Sequence, residues 1–205
     1  LTDLFVSGEF PRPDAPAADT QRFVLENGGA LNAQAFAQLV AAMLLVLFTG
    51  SLAALLRRTE SRPTGLADVA SCGGILASAL LAVSALLLAT LPVEQISDST
   101  ATVGALRQLN FFTGGAGHVV WLGVLVGSVS LAAHRARVLP RWLTATGFVS
   151  ATLSLLSLLS IVVPAAALFI PLGRFSAVLV IAAASILMAM GPTAGTHPVR
   201  SAGNG

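Results

Sequence analysis

Five long apolar stretches constrain this chain more than any other feature of its sequence. They are separated by short polar segments and cover residues 34–56, 66–91, 111–133, 142–163 and 175–190. An α-helix needs about 20 apolar residues to cross the hydrocarbon core of a membrane. The first four stretches reach that length, and the fifth reaches it when the approach at residues 165–171 adds a turn. The sequence therefore predicts five transmembrane spans.

The length of these stretches favours helices over strands. Backbone groups inside a bilayer have no water to bond with, so only helices and closed barrels span membranes. Barrel strands contain about ten residues that alternate between apolar and polar. The stretches in this chain are longer and uniformly apolar. We therefore predict an all-α fold, an integral membrane helical bundle of about five transmembrane helices.

Composition supports a membrane environment and excludes other classes of protein. Charged residues make up 10% of the chain, whereas soluble domains carry about 25%. All 11 cationic residues are arginines, and the net charge is only +2. The arginines form no basic face that could contact the phosphates of a nucleic acid. We therefore predict no nucleic-acid partner. The single cysteine, Cys72, excludes an internal disulfide and a cysteine-based metal cluster.

Arginine placement predicts the orientation of the bundle. The loops after the first and third spans contain Arg57, Arg58, Arg62, Arg135, Arg137 and Arg141. Arginine-rich loops generally stay on the cytoplasmic side. This places the N-terminus of the chain outside the plasma membrane and the C-terminus in the cytoplasm. An outside start requires an export signal, so we expect a cleaved signal or a further helix before residue 1, giving six helices in the second case.

The chain divides into three regions by composition. Residues 1–33 form an extracytoplasmic loop, with a short interfacial helix predicted from Ala17 to Leu25 and ended by Gly28 and Gly29. Residues 34–191 form the transmembrane bundle. Residues 192–205 are rich in small and polar residues and predict a disordered cytoplasmic tail.

Ionisable side chains inside spans are the usual mark of ion-coupled transporters and proton pumps. No Asp, Glu or Arg lies near the middle of a predicted span, because Arg107 and Arg174 fall in the predicted outer loops. The sequence therefore disfavours an ion-coupled transporter.

Asn110 and His118 form a speculative polar site near the outer end of the third span. His118 could ligate a haem or a metal near the outer face, or it could bond to a carbonyl or loop oxygen. A bis-histidine haem needs a second histidine at the same depth. His134 lies 16 residues further along, which is about 24 Å on a helix. We therefore favour the hydrogen-bonded histidine and predict no metal and no cofactor.

Small residues at helical spacing predict close helix contacts. The fourth span carries a stripe of hydroxyl side chains on one face, and the second and third spans carry small residues four apart. The helix-packing candidates are Gly74, Ser78, Gly123, Gly127, Ser150 and Ser154. A serine nucleophile needs a base within reach, and none is placed beside the fourth span. We therefore predict no catalytic residue.

Two short motifs carry a resemblance to a known family. One is the turn Val138-Leu-Pro-Arg-Trp-Leu143, which is followed by Gly147; the other is the span end Leu55-Leu-Arg-Arg58 after an acidic, proline-rich loop. The chain resembles a family of functionally uncharacterised, multi-spanning bacterial proteins of the high-GC Gram-positive type, identified as a domain of unknown function. The resemblance covers nearly the whole chain. It implies a multi-spanning architecture with an additional first helix, and it implies no activity.

Three functional hypotheses follow. The first is a non-enzymatic plasma-membrane protein that packs with membrane lipids, a partner membrane protein or a second copy of itself, as the small-residue contacts and the uncharged spans suggest. The second is a transporter of small molecules or lipids, with a cavity at mid-depth lined by the fourth-span hydroxyls and Asn110. The third is an intramembrane enzyme or haem protein whose ligands come from a preceding segment.

Overall fold

The computed structural model describes residues 16–59 and 64–190 of the chain. Within those two ranges all regular structure is helical. The predicted all-α membrane fold is therefore confirmed. The tail predicted at residues 192–205 lies outside the described residues, as do the first 15 residues of the predicted outer loop.

Seven α-helices follow one another along the described chain. They are α1 (Ala17–Thr59), α2 (Leu66–Thr90), α3 (Glu94–Ser97), α4 (Thr100–Phe111), α5 (His118–Ala136), α6 (Arg141–Leu156) and α7 (Phe169–Met190). A π-helical turn (Phe112–Gly117) joins α4 to α5, and two 3₁₀ segments (Ser157–Ile161 and Pro164–Leu168) join α6 to α7. Five helical stretches are long and apolar enough to cross a membrane: Ala17–Arg58, Leu66–Thr90, Thr100–Ala136, Arg141–Ile161 and Ala165–Leu187. Their number agrees with the prediction.

The third stretch, which contains α5, is the centre of the bundle. In its most apolar 18-residue segment, 67% of the chain is buried, whereas the share is 39% or less in the other four stretches. α5 packs against α2, α6 and α7, while α1 packs mainly against α2. α1 therefore lies at the periphery, with only 28% of its corresponding segment buried. Its outward face exposes large apolar side chains, namely Phe36, Val40, Met43, Leu44 and Leu47.

Small residues let the central helices approach closely. A Cβ atom added to Gly73 would lie 2.8 Å from the backbone nitrogen of Leu125, so α2 and α5 nearly touch through their backbones. A Cβ atom added to Gly123 would lie 2.6 Å from the Cβ of Ser154 on α6. Helix association in membranes depends on this kind of van der Waals packing, because lipid and protein interior are equally apolar.

One end of the bundle gathers five arginines and is called here the arginine-rich end. It is formed by the end of α1, the start of α2 and the turn from α5 to α6, and its arginines are Arg57, Arg58, Arg135, Arg137 and Arg141. Arg137 has a φ of 54°, the left-handed conformation that ends many helices. Leu139 and Leu143 are buried in the main apolar core and fix this turn to the bundle.

Three helical stretches begin earlier than predicted. α1 begins at Ala17 and continues past Gly28 and Gly29, which were expected to end a short helix. It has a kink at Asn27.

α4 begins at Thr100, so the third span starts before residue 111. The Oγ of Ser99 caps the helix by accepting a hydrogen bond from the backbone nitrogen of Thr102 at 3.3 Å. Hydropathy alone did not indicate this helix, because the segment contains several polar side chains.

The fifth span also begins earlier, since α7 begins at Phe169 and its helical stretch at Ala165. Pro171 does not stop α7, because it occupies the first turn of the helix, where a backbone N–H would have no intrahelical partner. The extension places Arg174 inside the span. The expectation that no Asp, Glu or Arg lies near the middle of a span is therefore wrong for Arg174, and Arg107 also falls inside the helical stretch Thr100–Ala136.

Candidate functional site

A group of polar residues gathers at the end of the bundle opposite the arginine-rich end. This group, called here the polar cluster, takes one residue from each of five segments: Gln38 (α1), Ser84 (α2), Asn110 (α4), Gly114 (the π-helical turn) and Arg174 (α7). Ser84 lies about 27 Å along α2 from residue 66, at about 1.5 Å per residue. α2 ends at Thr90, about 9 Å further along. The polar cluster therefore lies towards the end of α2 that is opposite the arginine-rich end.

Ser84 is the centre of the hydrogen bonds in the polar cluster. The Nδ2 of Asn110 donates to the backbone oxygen of Ser84 at 2.7 Å and to its Oγ at 2.9 Å. The Nε2 of Gln38 donates to the same Oγ at 3.2 Å. Ser84 is 2% exposed, so these bonds satisfy polar atoms that water cannot reach. They also connect α1, α2 and α4.

Gly114 brings the π-helical turn against Ser84. A Cβ atom on Gly114 would lie 2.7 Å from the Cβ of Ser84, which real side chains do not tolerate. Single π-helical turns interrupt the regular hydrogen-bond pattern of a helix and are frequent at functional sites. The backbone oxygen of Gly114 accepts a hydrogen bond from the Nη2 of Arg174. The turn thus links the hydrogen bonds around Ser84 to the arginine.

Arg174 is the charged member of the polar cluster. Its Nε is buried and has no hydrogen-bond partner. Within residues 16–59 and 64–190 no carboxylate pairs with it, since the Nη2 bond to Gly114 is its one hydrogen bond there. An arginine has five N–H donors. Most of the hydrogen-bonding capacity of this guanidinium is therefore unused by the protein.

His118 lies next to the polar cluster, one turn after Gly114. Its side chain is 4% exposed, and its Nδ1 lies 2.9 Å from the backbone oxygen of Ala77. A carbonyl oxygen only accepts hydrogen bonds, so the Nδ1 carries the hydrogen. The sequence left two alternatives for His118, a haem or metal ligand and a hydrogen-bonded histidine. The structure shows the hydrogen bond to a carbonyl.

The structure does not bring Asn110 and His118 together into one site. Asn110 bonds to Ser84 and His118 to Ala77, positions that are about 10 Å apart along α2. His134 is exposed at the arginine-rich end, with its ring 6.4 Å from the ring of Phe148. In the described part of the chain, no three His, Cys, Asp or Glu residues lie close enough together to hold a metal ion.

The packing candidates in α2 lie at the contact with α1. A Cβ atom on Gly74 would lie 2.8 Å from the Cβ of Thr49. Ser78 is 2% exposed and its Oγ donates to the backbone oxygen of Gly74 at 2.7 Å. Gly73, which the sequence interpretation missed, faces α5 instead. Adjacent glycines therefore serve two different helix contacts.

The packing candidates in α5 and α6 lie at the contacts among α5, α6 and α7. Gly123 faces Ser154, and a Cβ atom on Gly127 would lie 3.3 Å from the Cβ of Ala151. The Oγ of Ser150 lies 2.8 Å from the Oγ of Ser176 on α7. Ser154 is fully buried, and its Oγ has no hydrogen-bond partner among the described residues.

The arginine-rich end contains a groove of about 530 Å³ between α5 and α6. It is lined by His134, Arg137, Leu139, Pro140, Arg141 and Thr144. The histidine and both arginines are exposed. The charged side chains of this groove are exposed, whereas the members of the polar cluster are buried or half-buried.

Comparison with known proteins gives one finding. Comparison of the chain with curated proteins and with solved structures finds no match. The family model described as "Domain of unknown function (DUF4386)" matches residues 2–191. This confirms the resemblance to an uncharacterised domain family. With nearly its whole length matched, the chain belongs to the DUF4386 family of domains of unknown function.

Proposed function

We propose that this protein is a non-enzymatic protein of a bacterial plasma membrane that packs with lipids or a partner membrane protein. The observation that carries the proposal is the outward face of α1. Phe36 is 70% exposed, and Met43, Leu44 and Leu47 are each at least 60% exposed on the same helix. Large apolar side chains in such numbers need a lipid or protein neighbour.

The hydrogen bonds of the buried hydroxyl groups support a role without chemistry. Ser78 bonds to a backbone carbonyl of its own helix, and Ser150 bonds to the hydroxyl of Ser176. Ser84 bonds to the amides of Gln38 and Asn110. A nucleophilic serine requires a general base that accepts its proton, and amides and hydroxyls are poor bases. The contacts of Ser150 and Ser84 connect different helices, and the Ser78 bond lies within α2.

The experiment that tests the proposed function is native mass spectrometry of the protein extracted gently from its own membrane. We expect retained phospholipid, or a reproducible second polypeptide, on the bundle. A variant with Phe36 and Leu47 replaced by serine should lose that material, because both side chains lie on the exposed face of α1. A lone, lipid-free chain in every extraction would contradict the proposal.

The distribution of arginines supports an orientation with the arginine-rich end in the cytoplasm. Cysteine labelling in intact cells tests this in a Cys72→Ser background. An Asp98→Cys variant, whose exposed position lies between α3 and α4, should react with an impermeant reagent. A Val138→Cys variant at the arginine-rich end should react only after the cells are opened. The reverse pattern would overturn this orientation.

A transporter of small molecules or lipids is the second candidate, and the position of Arg174 inside the fifth helical stretch, with its Nε buried, favours it. Charged residues within membrane spans commonly mark substrate pathways. Vesicles of phosphatidylcholine containing the protein and a fluorescent phosphatidylglycerol distinguish the two candidates. Transfer of the fluorescent lipid between leaflets supports the transporter, whereas unchanged leaflets support the packing function.

A further inference from the structure

We propose that Arg174 forms a binding site for a phosphate group at the polar cluster, near the membrane boundary. The site goes beyond the packing function, because it assigns a ligand of defined chemistry to one side chain. It rests on the charge of Arg174, the donors that this side chain leaves unused and the depth of the polar cluster.

Among residues 16–59 and 64–190, the charge of Arg174 has no counterion. Its only hydrogen-bond acceptor is the backbone oxygen of Gly114, and no carboxylate among residues 16–59 and 64–190 pairs with it. Ile170, one turn earlier on α7, packs with Ala116 and Val119 in an apolar cluster. A cation beside apolar side chains is unfavourable unless an anion neutralises it. An anionic ligand would complete this arrangement.

The unused donors of Arg174 match an oxyanion. The Nε is buried without a partner, and the Nη2 donates to one acceptor only. A guanidinium presents its N–H groups as a planar fork that can donate to two oxygens of one phosphate. Because Gly114 is pressed against Ser84, the carbonyl that orients the guanidinium cannot move freely. The one hydrogen bond to Gly114 leaves the other N–H groups of the guanidinium available to a ligand.

The depth of the polar cluster favours phosphate among the oxyanions. Ser84 lies about 9 Å before the end of α2 at Thr90. The ends of membrane-spanning helices lie near the lipid headgroups, and those of glycerophospholipids carry phosphate. The phosphate can come from a lipid headgroup or from a free phosphate ion, since both present the same oxygens to the arginine.

Thermal unfolding of the full chain in a neutral detergent, followed by tryptophan fluorescence, tests the site after removal of lipid. The probes are inorganic phosphate, short-chain phosphatidylglycerol and short-chain diacylglycerol, which lacks the phosphate. Sodium chloride keeps the ionic strength constant. We expect a saturable rise in Tm of about 5 °C with a phosphate-containing probe. A response to inorganic phosphate indicates the free ion, and a response to phosphatidylglycerol alone indicates a lipid.

Three variants locate the response. Arg174→Gln should weaken phosphate binding by about tenfold or more, because the charge and the fork are lost. Arg174→Lys keeps the charge and should bind with intermediate affinity. Arg22→Gln is the matched control, since Arg22 is an exposed arginine in the first part of α1, and it should respond like the unmodified protein.

Several outcomes would overturn the proposal. The unmodified protein could show no saturable response to either phosphate-containing probe, or the same response to sodium chloride or diacylglycerol. Equal loss of binding in the Arg22 variant would show a general charge effect. If Arg174→Gln fails to fold, unchanged affinity in Arg174→Lys would still contradict a site built on the guanidinium fork.

Discussion

The two ends of the bundle use arginine in different ways. At the arginine-rich end, Arg57 keeps 56% of its side-chain surface exposed and pairs with Asp68 at 2.8 Å. Arg137 and Arg141 are exposed beside an open groove. At the other end, Arg174 reaches into the protein and bonds to the carbonyl of Gly114. The arginines of the arginine-rich end are exposed, whereas Arg174 is only partly exposed and its Nε is buried.

The difference shows which arginines need hydrogen-bond acceptors from the surrounding protein. An exposed arginine requires nothing from its neighbours, and its effect on orientation depends on charge and position along the chain. A buried arginine requires acceptors, because an unsatisfied charged donor is expensive in an apolar setting. The enclosure at this end is made by α4 and the π-helical turn, which pack on α2. Three substitutions test this contrast, in order of expected effect.

The largest effect is expected from Gly114→Ala, which disturbs the enclosed end. The new Cβ atom would lie 2.7 Å from the Cβ of Ser84, whose own hydrogen bonds restrict its movement. Overpacking of this kind destabilises by about 1–3 kcal/mol. We expect a loss of about 3 kcal/mol in the free energy of unfolding, measured by denaturant titration in mixed micelles.

Gly115→Ala is the matched control for this prediction. The nearest atom to a Cβ at Gly115 is the end of the Ile170 side chain at 3.4 Å, an ordinary contact. Alanine also favours helix over glycine by up to about 1 kcal/mol. We expect unchanged or slightly raised stability. Equal losses in the two variants would show that the π-helical turn, and not the contact with Ser84, sets the stability.

The spans were predictable because hydropathy adds up over about 20 residues, so single polar residues do not obscure the sum. The five-helix architecture follows from that sum and is confirmed. The joining of α4 to α5 was not predictable in the same way. The local propensity of the glycine-rich run at residues 112–117 predicts a break, yet in the structure this run is a π-helical turn that packs against Ser84.

The polar cluster could be predicted only in part. Asn110 stood out as a polar residue near a span end, but its partner Ser84 comes from another helix, and one sequence does not show which helices touch. Arg174 was assigned to an outer loop because the fifth apolar stretch was counted from residue 175. The signal that could have placed it correctly was the apolar run on both sides, since proline is compatible with a first helical turn.

The second substitution, Asn110→Ala, removes the link between α4 and α2. It deletes the donor to both oxygens of Ser84, and removal of a buried hydrogen-bond partner costs about 1–3 kcal/mol. We expect a loss of about 2 kcal/mol in the same titration. Gln108→Ala, on the exposed face of the same helix, should change stability by less than about 0.5 kcal/mol. Similar values for the two variants would refute a structural role for the Asn110 amide.

The smallest effect is expected from Asp68→Asn at the arginine-rich end. The Arg57–Asp68 pair is short, but both side chains are more than half exposed, and exposed pairs contribute about 0.2–1 kcal/mol. We expect a loss of about 0.5 kcal/mol that disappears in 1 M salt, where the Debye length falls to about 3 Å. The double variant Arg57→Gln/Asp68→Asn should lose no more stability than the less stable of the two single variants. This comparison isolates the contribution of the ion pair. A salt-independent loss above about 2 kcal/mol would show that the arginine-rich end is as enclosed as the polar cluster, and the contrast between the two ends would fail.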